Sequence, residues 1–263
     1  MKVELLIIDP QYDFCHPKGS LYVEGAYDDM IRLAHMIKRL KSKIDKIHVT
    51  LDGHSIIHIA HPVLWKDARG NHPEPFTIIT VDDIKNSRWV TTNPFMMEKA
   101  ASYVYELAKK KRYNLLIWPP HCIRGSIGAT IIPELLEALQ AWEQERFRTL
   151  NIITKGENIW TEHYSAIKAE VPDSEDPKTE INHAFINMLK EADVIGIAGE
   201  ALSHCVANTV LDIADFIGSD YLSRFVLLED ATSPVKGFEQ SAQDFKNYIT
   251  SKGMRLSDTK NFL

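Results

Sequence analysis

Cys205, Asp9 and Lys155 are side chains of the types that acyl transfer needs. A thiol can attack, a carboxylate can take its proton, and an ammonium can steady the charges. They lie far apart in the 263-residue chain, so they act together only if the fold gathers them. Asp52-Gly53-His54 offers a different chemistry. A carboxylate and an imidazole two residues apart on an extended segment can face the same way and share a divalent ion. Such a site needs a third donor. His58, His61, His72 and His121 are the candidates among 11 histidines.

Each of these residues also has a plain reading. An aspartate can cap a turn, a lysine can reach solvent, and most free cysteines are inert and buried. Position separates the two readings. Asp9 closes a first apolar run, Asp52 a second, His121 follows a third, Lys155 closes a fourth and Cys205 follows a fifth. In a parallel sheet such strand ends share one edge, where open α/β folds place their ligands.

The elements that must do this positioning read as follows. Strands are expected at residues 5–8, 47–51, 115–118, 151–154, 194–198 and 225–228. Helices are expected at about 27–44, from Asn93-Pro94 through Leu107, over 132–142, through Phe185 and Leu189, and over 238–249. The stretch around Cys205 carries the strongest pattern. Val206, Val210, Ile213 and Ile217 recur at helical steps, with Ser203 as expected N-cap and Gly218 after the end. A thiol in that first turn would feel the positive end of the helix dipole, which favours the thiolate. The alternation of strand and helix predicts one α/β domain over residues 1–263, with a doubly wound, mainly parallel sheet and helices on both faces. The 54–92 connection is long and rich in His and Pro, as binding loops are, with a short strand expected at 76–81.

Composition narrows the function. The apolar fraction is 44%, the charged fraction 25% and the net charge −6, which excludes a basic nucleic-acid or anionic-membrane surface. Three cysteines at irregular spacing form no disulfide framework and suit a reducing cytoplasm. Residues 1–14 do not read as a secretory signal, and no apolar run approaches the roughly 20 residues that span a bilayer. A small-molecule enzyme is the expectation.

Taken in order, the motifs resemble the nicotinamidases of the isochorismatase-like cysteine hydrolase superfamily, along nearly the whole chain. Asp9-Pro10-Gln11-Tyr12-Asp13-Phe14 matches the opening D…Q-x-D-F signature. Asp52-Gly53-His54 with Trp118-Pro119-Pro120-His121-Cys122 matches the metal motifs. Lys155-Gly156 ahead of Tyr164-Ser165, and Cys205-Val206-Ala207-Asn208-Thr209, match the lysine and nucleophile segments. The resemblance implies an amidase that cleaves a small aromatic carboxamide, nicotinamide first, through a thioester on Cys205. It implies Asp9 as general base, Lys155 as charge partner, and the Ala201 and Cys205 amides as oxyanion hole after a cis Glu200–Ala201 peptide. It implies one divalent ion on Asp52, His54 and His121, zinc first, with iron, manganese or magnesium as alternatives. Phe14, Tyr164, His204 and Trp65 would line the ring pocket, with His58 near the metal but structural. Self-association is common in the family. Three departures stand out: Gly53 where an aromatic is usual, Glu200 where a small or apolar residue is usual, and the long 54–92 loop, whose 72–77 stretch could serve as a lid. Isochorismatase chemistry, which uses no cysteine nucleophile, and a non-catalytic interaction module are the alternatives. The intact motifs count against both.

Overall fold

All six residues of Val3-Glu4-Leu5-Leu6-Ile7-Ile8 are buried. A strand reads this way when both faces of its sheet are covered. In a computed structural model of the chain, this strand lies inside a parallel sheet. Backbone is described throughout, and side chains for all residues except Ser219 and Asp220. The strands are β1 (Val3–Ile8), β2 (Lys46–Asp52), β3 (Trp65–Lys66), β4 (Ile78–Ile79), β5 (Val90–Thr91), β6 (Leu115–Leu116), β7 (Asn151–Lys155), β8 (Val194–Gly199), β9 (Phe225–Leu228) and β10 (Arg255–Ser257). Six form the main sheet in the order β10-β9-β8-β1-β2-β7, all parallel. The chain winds outward from β1 in both directions, which opens a crevice at the carboxyl edge where the order reverses.

Side-chain alternation along β1 builds the two layers. Leu5 and Ile7 join helices Ala26–Leu40 and Pro133–Arg146 through Met30, Leu33, Ile37, Leu135 and Leu139. Leu6 and Ile8 join the opposite layer, with Val104, Phe185, Val210 and Phe245 from helices Met97–Lys110, His183–Leu189, Ala207–Ile217 and Glu239–Ser251. Adjacent residues of one strand thus anchor opposite cores. Among the described residues no helix is long and apolar enough to cross a membrane.

Two expectations change. Residues 115–118 do not enter the main sheet: β6 pairs antiparallel with β4. The amides of Ile117 and Trp118 donate to Thr77 O (2.9 Å) and Ala60 O (2.8 Å), so the inserted segment takes up this strand's hydrogen bonds. Also, β10 adds an edge strand where the exposed Arg255-Leu256 gives no apolar signal. The 54–92 segment is structured. It carries β3 paired with β5, β4, and the capped helix Val81–Lys85. The strand expected at 76–81 shortens to two residues. Phe76 donates its amide to Ile117 O (2.5 Å) and sets its ring edge-on to Trp118, 5.9 Å between centroids.

Candidate active site

Sheet order sets the site. β8, β1, β2 and β7 are consecutive neighbours, and after or at their carboxyl ends come Cys205, Asp9, Asp52 and Lys155. Asp9 leaves β1 with φ 46°, in the left-handed region that aspartate tolerates better than most residues. Its amide donates to Thr50 on β2, and the Thr50 hydroxyl donates back to Asp9 Oδ1 at 2.6 Å. Lys155 Nζ stands 2.8 Å from Asp9 Oδ2, 3.4 Å from Asp52 Oδ1 and 3.7 Å from Cys205 Sγ. Cys205 and Asp9 thus share the Lys155 ammonium. All three proposed acyl-transfer residues therefore meet, and all are buried.

Burial and charge together set their protonation. Burial pushes the Asp9 carboxyl up, against the pull of the Lys155 ammonium. A carboxylate with a raised pKa is a better proton acceptor than one in water. Burial works against the Lys155 charge, but Asp52 and Asp9 outweigh it and hold the ammonium well above its usual range. Burial also raises Cys205 well above an ordinary thiol, with Lys155 opposing.

That last shift corrects the expectation of a thiolate at a helix start. Residues Leu202–Val206 form a π-helical turn, and the α-helix begins only at Ala207. Cys205 sits inside that wide turn, where desolvation dominates, so the resting group is a thiol. Ser203 is not the N-cap either. From within the turn its hydroxyl accepts the Val235 amide (3.0 Å) and pairs with His204 Nδ1 (2.9 Å). Gly218 does follow the helix. The Glu200–Ala201 peptide is cis, and Ala201 and Cys205 both border the cavity described below.

Asp52, His54 and His121 form a second buried group beside the first. Asp52 Oδ2 lies 2.9 Å from His54 Nε2 and 3.8 Å from His121 Nε2. His54 Nδ1 faces Gly156 O (3.1 Å) and His121 Nδ1 faces Pro119 O (2.9 Å), which puts a proton on each Nδ1. His121 Nε2 keeps its lone pair, whereas His54 Nε2 also faces the Asp52 carboxylate and must give up a proton to bind an ion. Asp52 Oδ1 is buried and accepts no hydrogen bond, with only the Lys155 ammonium facing it at 3.4 Å. Gly156 has φ +75°, and a Cβ there would stand 2.1 Å from Asp52 Oδ1 and 2.9 Å from His54 Cε1. One carboxylate, two oriented imidazoles and a cradle kept clear by a glycine fit a divalent ion. The other candidates differ. His72 turns its Nδ1 to Trp65 O (2.6 Å), away from this group, while His58 and His61 pack beside His54.

A cavity with about 430 Å³ of empty space, part of it open to solvent, leads to both groups. Phe14, Tyr164 and His204 line it as expected, with Asp52, His121 and Cys205 at its polar end. Trp65 does not reach it: its indole is fully buried and donates to Ile59 O (2.7 Å) in the inserted segment. Trp118 takes that place, its indole N–H donating to Tyr164 Oη (3.1 Å) and its ring edge-on to His204. The WPPHC motif could have revealed it, since the tryptophan stands three residues before the metal-site histidine. Leu21, Val23 and Val235 complete the apolar wall, and Glu162 and His163 also border the cavity. Burial lifts Glu162 to about 7 and lowers His204 to about 4, so at neutral pH His204 is uncharged and Glu162 is about half protonated. Cys15 and Cys122 are fully buried with raised pKa values, as expected of inert thiols. Glu200 is fully buried too; it accepts the Ser233 amide (3.0 Å), and burial and Asp29 hold its pKa well above the usual range.

A parallel α/β sheet gathers a buried thiol, carboxylate and ammonium at its carboxyl edge, the groups that a cysteine hydrolase needs. The chain is similar to the nicotinamidase of Saccharomyces cerevisiae, 21% identical over 254 residues, covering 97% of this chain and 98% of that one. The solved yeast nicotinamidase superposes with a TM-score of 0.67 at 20% identity, covering 97% and 99% of the two chains. A nicotinamidase/pyrazinamidase of Acinetobacter baumanii gives 0.64 at 20% identity, covering 100% and 98%. A pyrazinamidase of Pyrococcus horikoshii, solved in complex with zinc, gives 0.58 at 19% identity, covering 98% and 99%. No family model matches the chain. The likeness to nicotinamidases read from the motifs thus extends to the fold, along nearly the full length.

Proposed function

We propose that this protein is a cysteine amidohydrolase that converts nicotinamide, or a close aromatic carboxamide, to the acid and ammonia. The observation that carries the reading is the meeting of Cys205, Asp9 and Lys155 at the end of an apolar, aromatic-lined cavity. Asp9 accepts the thiol proton as Cys205 Sγ bonds to the carboxamide carbon. The amides of Ala201 and Cys205 hold the oxyanion that forms. Collapse breaks the C–N bond, and Asp9 returns its proton to the departing nitrogen, releasing ammonia and leaving a thioester. Water then attacks, Asp9 takes one of its protons, and the C–S bond breaks to give the carboxylate and Cys205. Lys155 stays protonated throughout and offsets the negative charge that moves between Asp9 and sulfur.

Phe14, Trp118, Tyr164 and His204 clamp an aromatic ring, and these four side chains, uncharged at neutral pH, suit a neutral substrate. A divalent ion held by Asp52, His54 and His121, with zinc as first choice, supplies an electrophilic anchor for a ring nitrogen. The three free cysteines accord with a cytoplasmic enzyme. Incubating the metal-loaded protein with nicotinamide and following nicotinate and ammonia tests the reading. Equimolar release, lost in Cys205→Ala, is expected. Absence of turnover on nicotinamide, pyrazinamide and benzamide alike would sink it.

A further inference from the structure

His61 is fully buried and ends the tight turn that leaves His54, with its amide donating to His58 O (3.0 Å). Its Nδ1 lies 3.2 Å from Ile56 O, which places the proton on Nδ1 and a lone pair on Nε2. That Nε2 is buried and has no hydrogen-bond partner. The arrangement repeats what His54 and His121 show, each with Nδ1 on a backbone carbonyl. Metal-binding imidazoles are oriented in this way, the carbonyl fixing the tautomer and freeing the other nitrogen. The His61 ring centroid stands 5.3 Å from His54 and 5.7 Å from His121. His58, equally close to His54, differs in its bonding. Its Nδ1 accepts the Ala60 amide (3.3 Å) and its Nε2 faces Thr161 O (3.2 Å), so neither nitrogen is free.

We propose that His61 is a fourth protein ligand of the divalent ion, closing the cradle on the side away from the substrate cavity. Asp52 and His121 border that cavity, whereas His54 and His61 do not. A donor behind the ion leaves its open positions facing substrate, as catalytic sites require. His61 groups with His54 and His58, and Asp52 and His121 group with His54, so binding by all four requires the His61 ring to turn toward Asp52 and His121. The proposal rests on the reading of Asp52, His54 and His121 as ligands, and the test separates the two.

Zinc affinity is measured by chelator competition for the full chain and for His61→Asn, His61→Gln and His121→Asn, with circular dichroism as a check on folding. Imidazoles bound to zinc are counted by X-ray absorption. Wild type should show three imidazoles. Both His61 variants should show two and bind zinc at least about tenfold more weakly. Two imidazoles in wild type, or unchanged affinity in the His61 variants while His121→Asn loses zinc, overturns the proposal alone. Unchanged affinity in His121→Asn as well overturns the underlying ligand set and the proposal with it. The imidazole count in wild type decides even if a variant fails to fold.

Discussion

Lys155 Nζ lies 2.8 Å from Asp9 Oδ2 with both side chains buried, an ion pair that joins β7 to β1 across the intervening β2. The pair holds a charged base in a dry site, and its two members are not equivalent. Lys155 also faces Asp52 and Cys205, so its loss removes the ammonium that two buried carboxylates share and leaves Asp9 without a cation. Lys155→Met should therefore destabilise the fold by about 3–5 kcal/mol, whereas Asp9→Asn, which leaves Lys155 paired with Asp52, should cost less. Asp9→Asn should nonetheless lower kcat by at least about 10²-fold, the low end for loss of a general base. Urea melts and steady-state rates of the two variants check this. Near-normal kcat in Asp9→Asn would remove the base from the scheme.

Cys205 is 8% exposed and borders the cavity, while Cys15 and Cys122 are at 0%. Iodoacetamide should modify Cys205 first. Because burial holds the thiol protonated, the labelling rate should climb steadily as pH rises above 7 instead of levelling off there. Mass spectrometry of alkylated peptides over a pH series reads both features. A plateau already reached at pH 6 would mean a resting thiolate.

Gly156 answers to the metal cradle. A methyl group there would overlap Asp52 Oδ1 at 2.1 Å, and the +75° φ strains any other residue. Gly156→Ala should cost about 1–3 kcal/mol and displace Asp52 and His54 enough to lower zinc content. Thermal melts and metal analysis test it, and full zinc occupancy in the variant would show that the cradle tolerates the shift.

Glu170 gives a pH signature remote from catalysis. Burial, opposed by Arg112, raises its pKa from 4.5 to about 7. The folded state thus binds this proton more tightly than the unfolded chain. Its contribution to stability is fully present below pH 4.5 and is lost as pH rises through about 7. Glu170→Gln should stabilise the protein relative to wild type by up to about 3 kcal/mol at pH 8, and the difference should shrink toward pH 4.5. Equal differences between the two proteins at pH 5 and pH 8 would contradict it.

The strand ends were readable because apolar runs stopped at Asp9, Asp52 and Lys155, and sheet order then did the gathering. Helical period exposed the Ala207–Ile217 segment as well. It could not reveal the π-helical turn before it, because Val206 and Val210 keep the same spacing whichever way the preceding residues wind. Trp65 and Trp118 show a second limit. Both are large aromatics near candidate histidines; Trp118 stands in the WPPHC motif and faces the cavity, while Trp65 is buried in the inserted segment. His61 shows a third: a lone pair without a partner is a property of the folded surroundings.

The inserted segment hydrogen-bonds to residues 117 and 118 and backs Trp118 with Phe76, yet β3, β4, β5 and β6 lie outside the six-stranded sheet. One wall of the cavity, Trp118, therefore rests on a frame separate from the sheet that carries Asp9, Lys155 and Cys205. Insertions or deletions in that segment can reshape which ring is admitted while Asp9, Lys155 and Cys205, rooted in three strands of one sheet, keep their distances. Divergence in substrate choice within such a lineage needs no compromise at the reacting atoms.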